Sequence, residues 1–258
     1  MSFTSPRPVR PSLGLIGFGA FGRLIAAHLA QHFRVHAHDP SLAEGCVTDH
    51  IVGCGLPEAA ACPVVVLATP IAAIPDVVAA IRPHLRPGVL VLDVGSVKVV
   101  PARAMRDGLP AHAAIVATHP LFGPQSAEGG LRGARIALCE VRGGRSRRVA
   151  AFLRRAYGLD VILTTPDAHD REAATVQGLT HLIAKALVAM EPLPTRMTTR
   201  SFDLLMRAVE MVRHDAPEVY DAIERANPYA DEVRRRFVTQ ASRLVSDLGE
   251  IEAAARAA

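Results

Sequence analysis

Leu13-Gly14-Leu15-Ile16-Gly17-Phe18-Gly19-Ala20-Phe21-Gly22 decides the fold of this chain. A short apolar run meets glycines spaced G-x-G-x-x-G, and apolar residues at helical spacing follow from Phe21 to His32. The pattern predicts a strand, a tight turn and a helix. Gly17 permits the turn, Gly19 lets the backbone approach a pyrophosphate, and Gly22 lets helix and strand pack closely. Phe18, Ala20 and Phe21 complete the fingerprint, whose N–H groups at the helix start suit phosphates. Arg34 to His38 reads as the next strand and ends at Asp39. A carboxylate there accepts hydrogen bonds from an adenosine ribose. It would repel the 2′-phosphate of NADP, since like charges about 4 Å apart cost on the order of a few kcal/mol. Pro40 stands where an arginine would have compensated, so NAD is the expected cofactor and NADP the less favoured one.

Outward from this turn, apolar runs recur at Pro63–Ala68, Val89–Val94, Ala114–Thr118, Ala134–Cys139 and Asp160–Leu163. Helical patterns separate several of them, notably Ala72–Arg82 and Ser146–Tyr157. Apolar strands alternating with helices predict a Rossmann-like, doubly wound, mainly parallel α/β sheet covered on both faces. Strand ends in such sheets face the ligand, so Thr69 and Pro70, which end the run of valines, are expected beside the cofactor. The pattern changes at Thr165-Pro166-Asp167. Thr165 can cap a helix and Pro166 suits its first position. From there helices are predicted over 167–190, 199–213, 217–226 and 229–256, with no strand. The expected organisation is a flexible tail (1–11), a dinucleotide-binding domain (12–165) and an all-helical substrate and dimerisation domain (166–258). A long helix with a wide apolar face needs a partner, which points to a homodimer.

The composition agrees with a packed enzyme. Half of the 258 residues are hydrophobic and 21% are charged, which excludes a disordered chain. The net charge of +4 suits an anionic small-molecule substrate. No nucleic-acid module and no membrane span are visible. Cys46, Cys54, Cys62 and Cys139 form no C-x-x-C pair and have no histidine at zinc-site spacing. They read as small buried residues in a reducing cytoplasm, and no metal site is expected.

The chemistry is carried by two strand ends. Asp93-Val94-Gly95-Ser96-Val97-Lys98 ends one predicted strand, and His119-Pro120-Leu121-Phe122-Gly123-Pro124 ends the next. An imidazole can accept a proton at neutral pH, which oxidising an alcohol beside a nicotinamide requires. The Ser96 hydroxyl donates and accepts at once, so it can bridge a substrate hydroxyl and His119.

These segments, with Gly178-Leu179-Thr180-His181-Leu182, resemble the prephenate/arogenate dehydrogenase family of tyrosine biosynthesis, and the His-Pro-Leu-Phe-Gly-Pro form looks most like its arogenate-type branch. The resemblance implies oxidative decarboxylation of arogenate to tyrosine, or of prephenate to 4-hydroxyphenylpyruvate. His119 is then the base and Ser96 its partner. His181 and Arg207 are implied substrate contacts, Arg207 because a guanidinium fork grips a carboxylate; Arg200 and Arg213 are alternatives. Lys98 either neutralises the ring carboxylate or supports the strand-end loop. Gln125 and Ser126 open the loop that chooses between an amine and a keto side chain. Gly129 aligns with the choosing position and Glu128 precedes it, which leans toward arogenate. His169-Asp170 resembles a family pair with capping or hinge roles. The alternatives are a dehydrogenase of an amino-substituted prephenate analogue, a β-hydroxyacid dehydrogenase or imine reductase, and a nicotinamide-sensing module.

Overall fold

A computed structural model describes residues 10–127 and 129–257 of the chain. Glu128 and most of the expected tail lie outside the described residues. Arg10 and Pro11 do not behave as tail: Arg10 donates to the Ala30 carbonyl, and the Pro11 carbonyl accepts from Arg34 N–H at 2.9 Å.

The chain divides into two compact units, and the division falls between Pro166 and Asp167. In the first, the elements run β1 (Ser12–Ile16), α1 (Ala20–Leu29), β2 (Arg34–His38), β3 (Gly45–Thr48), β4 (Ile51–Gly53), α2 (Leu56–Ala60), β5 (Val64–Leu67), α3 (Ile74–Ile81), β6 (Leu90–Asp93), α4 (Val99–Gly108), β7 (Ala114–Pro120), β8 (Arg135–Arg142), α5 (Ser146–Tyr157) and β9 (Asp160–Thr164). The strands form one sheet in the order β3-β4-β2-β1-β5-β6-β7-β8-β9. Neighbours from β4 through β7 are parallel; β3 runs against β4 and β8 against β7, and β9 is parallel to β8. The order reverses at β1, where the chain crosses from one half of the sheet to the other, and this crevice is where doubly wound folds bind ligands.

Both sheet faces are covered. Val65, Leu67, Ile115 and Ala117 pack with Ile74, Val78, Ile81 and Met105 from α3 and α4. Leu13, Leu15, Val66, Val116 and Leu138 pack on the other face with Ala26 of α1 and Ala150 of α5. The central strands therefore read as unbroken apolar runs. Elements shorter than the periodicity can register were not legible. β3, the edge strand, and its neighbour β4 have only four and three residues, α2 has a single turn, and α4 carries Pro101 inside and Gly108 at its end.

The second unit is helical: α6 (Pro166–Ala173), α7 (Leu179–Ala189), α8 (Arg200–Arg213), α9 (Pro217–Asp221) and α10 (Ala230–Ala257). Pro166 opens α6, in the position that costs no hydrogen bond. The helix expected over 167–190 forms, but a π turn at Ala174–Gly178 joins α6 to α7. A second π turn, Ala222–Ala226, continues α9. An added Cβ on Gly178 would lie 3.5 Å from Glu224 Oε1, so the two π turns meet closely here.

Candidate active site

In the first unit the glycine turn is built as its spacing predicts. Gly17 has φ +101°, and a Cβ on it would come within 2.3 Å of the Ala68 carbonyl. No other residue fits both the left-handed backbone and that approach. A Cβ on Gly22 would meet the Gly17 carbonyl at 2.3 Å, whereas a Cβ on Gly19 would meet nothing within 4 Å. The space beside Gly19 is thus open toward the start of α1, where no side chain caps the helix and no acid sits in the first turn. Uncapped N–H groups and an open cradle fit a pyrophosphate.

Asp39 is tied into this turn. Its carboxylate accepts from Phe18 N–H at 2.8 Å, from the Ser41 hydroxyl at 2.6 Å and from Ser41 N–H at 2.9 Å. Burial alone would raise its pKa, but these donors outweigh burial and hold Asp39 below the usual carboxylate range. The charge expected at the adenosine end is therefore present. Across the crevice, the Thr69 hydroxyl is enclosed and has no protein partner. An orphaned hydroxyl at the end of β5, beside the glycine turn, fits a ribose hydroxyl. Pro70 stands exposed next to it.

Ser96 and His119 emerge from adjacent strands. Asp93 of β6 is in register with Ala117 of β7, so Ser96 and His119 lie three and two residues beyond one cross-strand pair. His119 falls on the same sheet face as Ala117, because side chains alternate along a strand. It is 4% exposed, whereas Ser96 is half-buried. Little of the imidazole is therefore open to solvent.

A buried polar knot sets this geometry, and it corrects one of the two readings of Lys98. Lys98 is fully buried; its ammonium pairs with Asp93 and donates to the Thr118 carbonyl at 2.6 Å. Asp93 also accepts from Gly95 N–H at 3.0 Å and Thr118 N–H at 3.2 Å, while the Thr118 hydroxyl donates to the Asp93 carbonyl at 2.5 Å. A charge with no exposed surface and a buried counter-ion cannot also neutralise a substrate carboxylate. Lys98 supports the strand-end loop: the knot clamps Gly95-Ser96-Val97 against the residue preceding His119. Asp93 was quoted in the sequence only as part of a motif, and its role follows from the cross-strand contacts.

The loop after β7 places Gln125 and Ser126 at the surface. The Ser126 hydroxyl accepts from Gly123 N–H at 2.9 Å and donates to the Gly123 carbonyl at 3.2 Å, so it shapes its own turn. The leaning based on Glu128 lies outside the described residues.

In the second unit, His181 is buried on α7. Its Nδ1 lies 2.9 Å from the Gln177 carbonyl and its Nε2 3.1 Å from the Asp215 carboxylate. Burial disfavours the imidazolium, but Asp215, the Gln177 carbonyl and the charge of Glu224 outweigh it and raise the pKa above the ordinary 6.5. Both ring nitrogens facing acceptors is the arrangement of a protonated histidine. Stability from this pairing is full below about pH 6.5 and is lost as pH rises through the raised folded value. An NMR titration of the His181 ring is expected to give a value above 6.5 in the native chain, falling in Asp215→Asn; a titration unmoved by that substitution would remove the pairing.

Asp215, between α8 and α9, and the buried Glu224, which Arg234 pairs at 2.8 Å, had no signal in the sequence beyond being acids in helical segments. Arg207 is exposed on α8 and has no hydrogen-bond or ion-pair partner among the described residues. Its alternative Arg213 is instead paired with Glu191 and Glu210. His169 and Asp170 form a buried pair at 2.7 Å, and Asn227 donates to the Asp170 carbonyl at 2.8 Å, so this pair ties α6 to the loop before α10.

The family described as "Prephenate dehydrogenase, nucleotide-binding domain" matches residues 43–154. A probable arogenate/prephenate dehydrogenase of Methanocaldococcus jannaschii is 29% identical over 187 residues, covering 69% of this chain and 42% of that protein. The chloroplastic arogenate dehydrogenase 1 of Arabidopsis thaliana is 28% identical over 249 residues, covering 88% of this chain and 38% of that protein. The chain thus spans about two fifths of the length of these curated relatives. Its fold is that of the prephenate dehydrogenase from A. aeolicus in complex with hydroxyphenyl propionate and NAD+, with TM-score 0.71, 18% identity and coverage of 95% of this chain and 93% of that one. With a nucleotide-binding unit matched over residues 43–154, the glycine turn formed and Ser96 and His119 on adjacent strand ends, the chain is similar to prephenate and arogenate dehydrogenases.

Proposed function

We propose that this protein is an NAD-dependent arogenate or prephenate dehydrogenase. The observation that carries the reading is the convergence of Ser96 and His119 at the rim of the sheet that also holds the glycine turn and Asp39. The substrate is a cyclohexadienol with a ring carboxylate. When bound, the nicotinamide accepts the hydride from the ring carbon that bears the hydroxyl. His119 takes the hydroxyl proton, and Ser96 orients the hydroxyl and the imidazole. The carboxylate then leaves as carbon dioxide, and the bonding pair it leaves behind makes the ring aromatic. In the helical unit, His181 beside Asp215 and the exposed Arg207 are candidate anion-binding groups. Arogenate is favoured over prephenate by the Phe122-Gly123-Pro124 form.

Steady-state kinetics with prephenate, arogenate and an amino-substituted prephenate analogue, each crossed with NAD and NADP, tests the reading. NADH formation with arogenate is the expected result; no turnover with any of the three overturns it. The ionised Asp39 should make kcat/KM at least about tenfold higher with NAD than with NADP, since one charge repulsion of a few kcal/mol exceeds that ratio. Equal values would remove Asp39 from the adenosine pocket.

The helical unit supports a homodimer. Leu204, Leu205 and Met211 on α8 and Val238, Leu244, Val245 and Leu248 on α10 are exposed, a density of large apolar side chains that monomers seldom leave in water. Sedimentation at micromolar concentration should give twice the 27.5 kDa chain mass; a monomer at that concentration refutes the assembly. No helix among the described residues is long and apolar enough to cross a membrane. The buried thiols of Cys54 and Cys62 favour a reducing compartment such as the cytoplasm.

A further inference from the structure

The four cysteines make no metal motif in the sequence, yet the fold brings one of them to a histidine and a glutamate. His36 lies on β2, Cys54 directly after β4 and Glu58 on α2. One ligand atom from each side chain lies within 4.8 Å of the other two. Both ring nitrogens of His36 are enclosed, and neither meets hydrogen-bond geometry with any protein group. The Glu58 carboxylate approaches Nδ1 at 3.4 Å, and its own side chain is largely exposed.

We propose that His36, Cys54 and Glu58 form a binding site for one zinc-class divalent cation, beside the adenosine end of the crevice. Imidazole, thiolate and carboxylate are the donor types zinc takes, at about 2.0–2.3 Å each, so ligand atoms around it sit roughly 3.3–3.8 Å apart. His36 Nδ1 and Glu58 already lie 3.4 Å apart, so closing the triangle needs Cys54 Sγ to draw in by at most about 1 Å from separations within 4.8 Å. Glu58 also lies on the open side, where water completes the tetrahedron. A His36–Glu58 ion pair alone would account for one ring nitrogen but not for the other, nor for the thiol beside them. A reactive cysteine is disfavoured by the same surroundings: burial, with Glu58, Cys62 and Glu44 nearby, pushes the Cys54 thiol up to about 11. A divalent cation supplies the positive charge that this acid-rich pocket lacks.

The site bears on the cofactor crevice through the backbone. Cys54 N–H donates to the Ala37 carbonyl at 2.9 Å, the Cys54 carbonyl lies 3.1 Å from His38 Nδ1, and the His38 carbonyl accepts from Gly17 N–H at 2.8 Å. A cation there would pin α2 and β4 to β2, three residues before Asp39.

The test uses the full chain, stripped with a chelator and titrated with zinc in competition with a chromogenic chelator. One tight equivalent per chain is expected. Cys54→Ser and His36→Gln should each weaken it by at least about 100-fold, since outer-shell changes alone cost 10–100-fold at zinc sites. Cobalt in place of zinc should show a thiolate charge-transfer band that Cys54→Ser abolishes. Glu58→Gln, at an exposed position that tolerates substitution, should weaken zinc by about tenfold or more and keeps the test decisive if the buried variants fail to fold. No tight equivalent, a cobalt band that survives Cys54→Ser, or unchanged zinc affinity in Glu58→Gln overturns the proposal. None of these readouts depends on which substrate the enzyme takes.

Discussion

His119→Asn is expected to lower kcat by about 10²–10⁴-fold while leaving the Kd for NAD nearly unchanged. Asparagine keeps much of the size and polarity of the buried imidazole but cannot take up a proton at neutral pH. The change therefore removes the base and little else. His119 has 4% of its surface exposed and sits two residues past the last β6–β7 pair, so its ring is held by the sheet and not by the substrate. Loss of the base should appear in turnover and not in binding. Ser96→Ala should follow in the same direction with a smaller loss, because it orients the proton's donor and acceptor without accepting the proton. Turnover of His119→Asn within a few-fold of the native chain would leave the proposed reaction without a base.

Lys98→Met is expected to cost roughly 3–5 kcal/mol of stability, the usual penalty for leaving one partner of a buried ion pair uncompensated. Asp93 keeps its two N–H donors from Gly95 and Thr118, which places the loss toward the lower end. For a chain of this size that is a fall in Tm of roughly 10 °C. Adding Asp93→Asn should return part of it, since a neutral amide needs no counter-ion. Any activity lost would follow the loosened Gly95-Ser96-Val97 loop and so fall on kcat. If Lys98→Met instead left Tm unchanged and raised only the KM for substrate, the lysine would be a substrate ligand and the knot incidental.

Legibility in the sequence tracks how local each feature is. The glycine turn was readable because Gly17, Gly19 and Gly22 fall at a fixed spacing within one strand–turn–helix unit. Long buried strands such as β7, all of whose residues are buried, were readable as apolar runs. β3, β4 and α2 were not, because elements of three to five residues carry no periodicity. The helix over 167–190 was legible, but its π turn was not: one extra residue per turn changes which face is buried without changing composition. Of the site, His119 and Ser96 were found from strand ends. Asp93, Asp215 and Glu224 were missed because acids in ordinary-looking segments gain meaning only from the cations they meet.

By itself the amino-acid order determined the kind of fold, the glycine turn, the acid at the end of β2 and the strand-end histidine. All of these are short-range consequences of backbone sterics and alternating burial. Only the tertiary structure decided what the charges do. Lys98 had two readings on paper and is a buried clamp in the fold; His181 was an implied substrate contact and is paired with Asp215; Cys54, His36 and Glu58 were unrelated and now share one small triangle. Charge interactions depend on distance and on exclusion of water, and both are set by residues far apart in the chain.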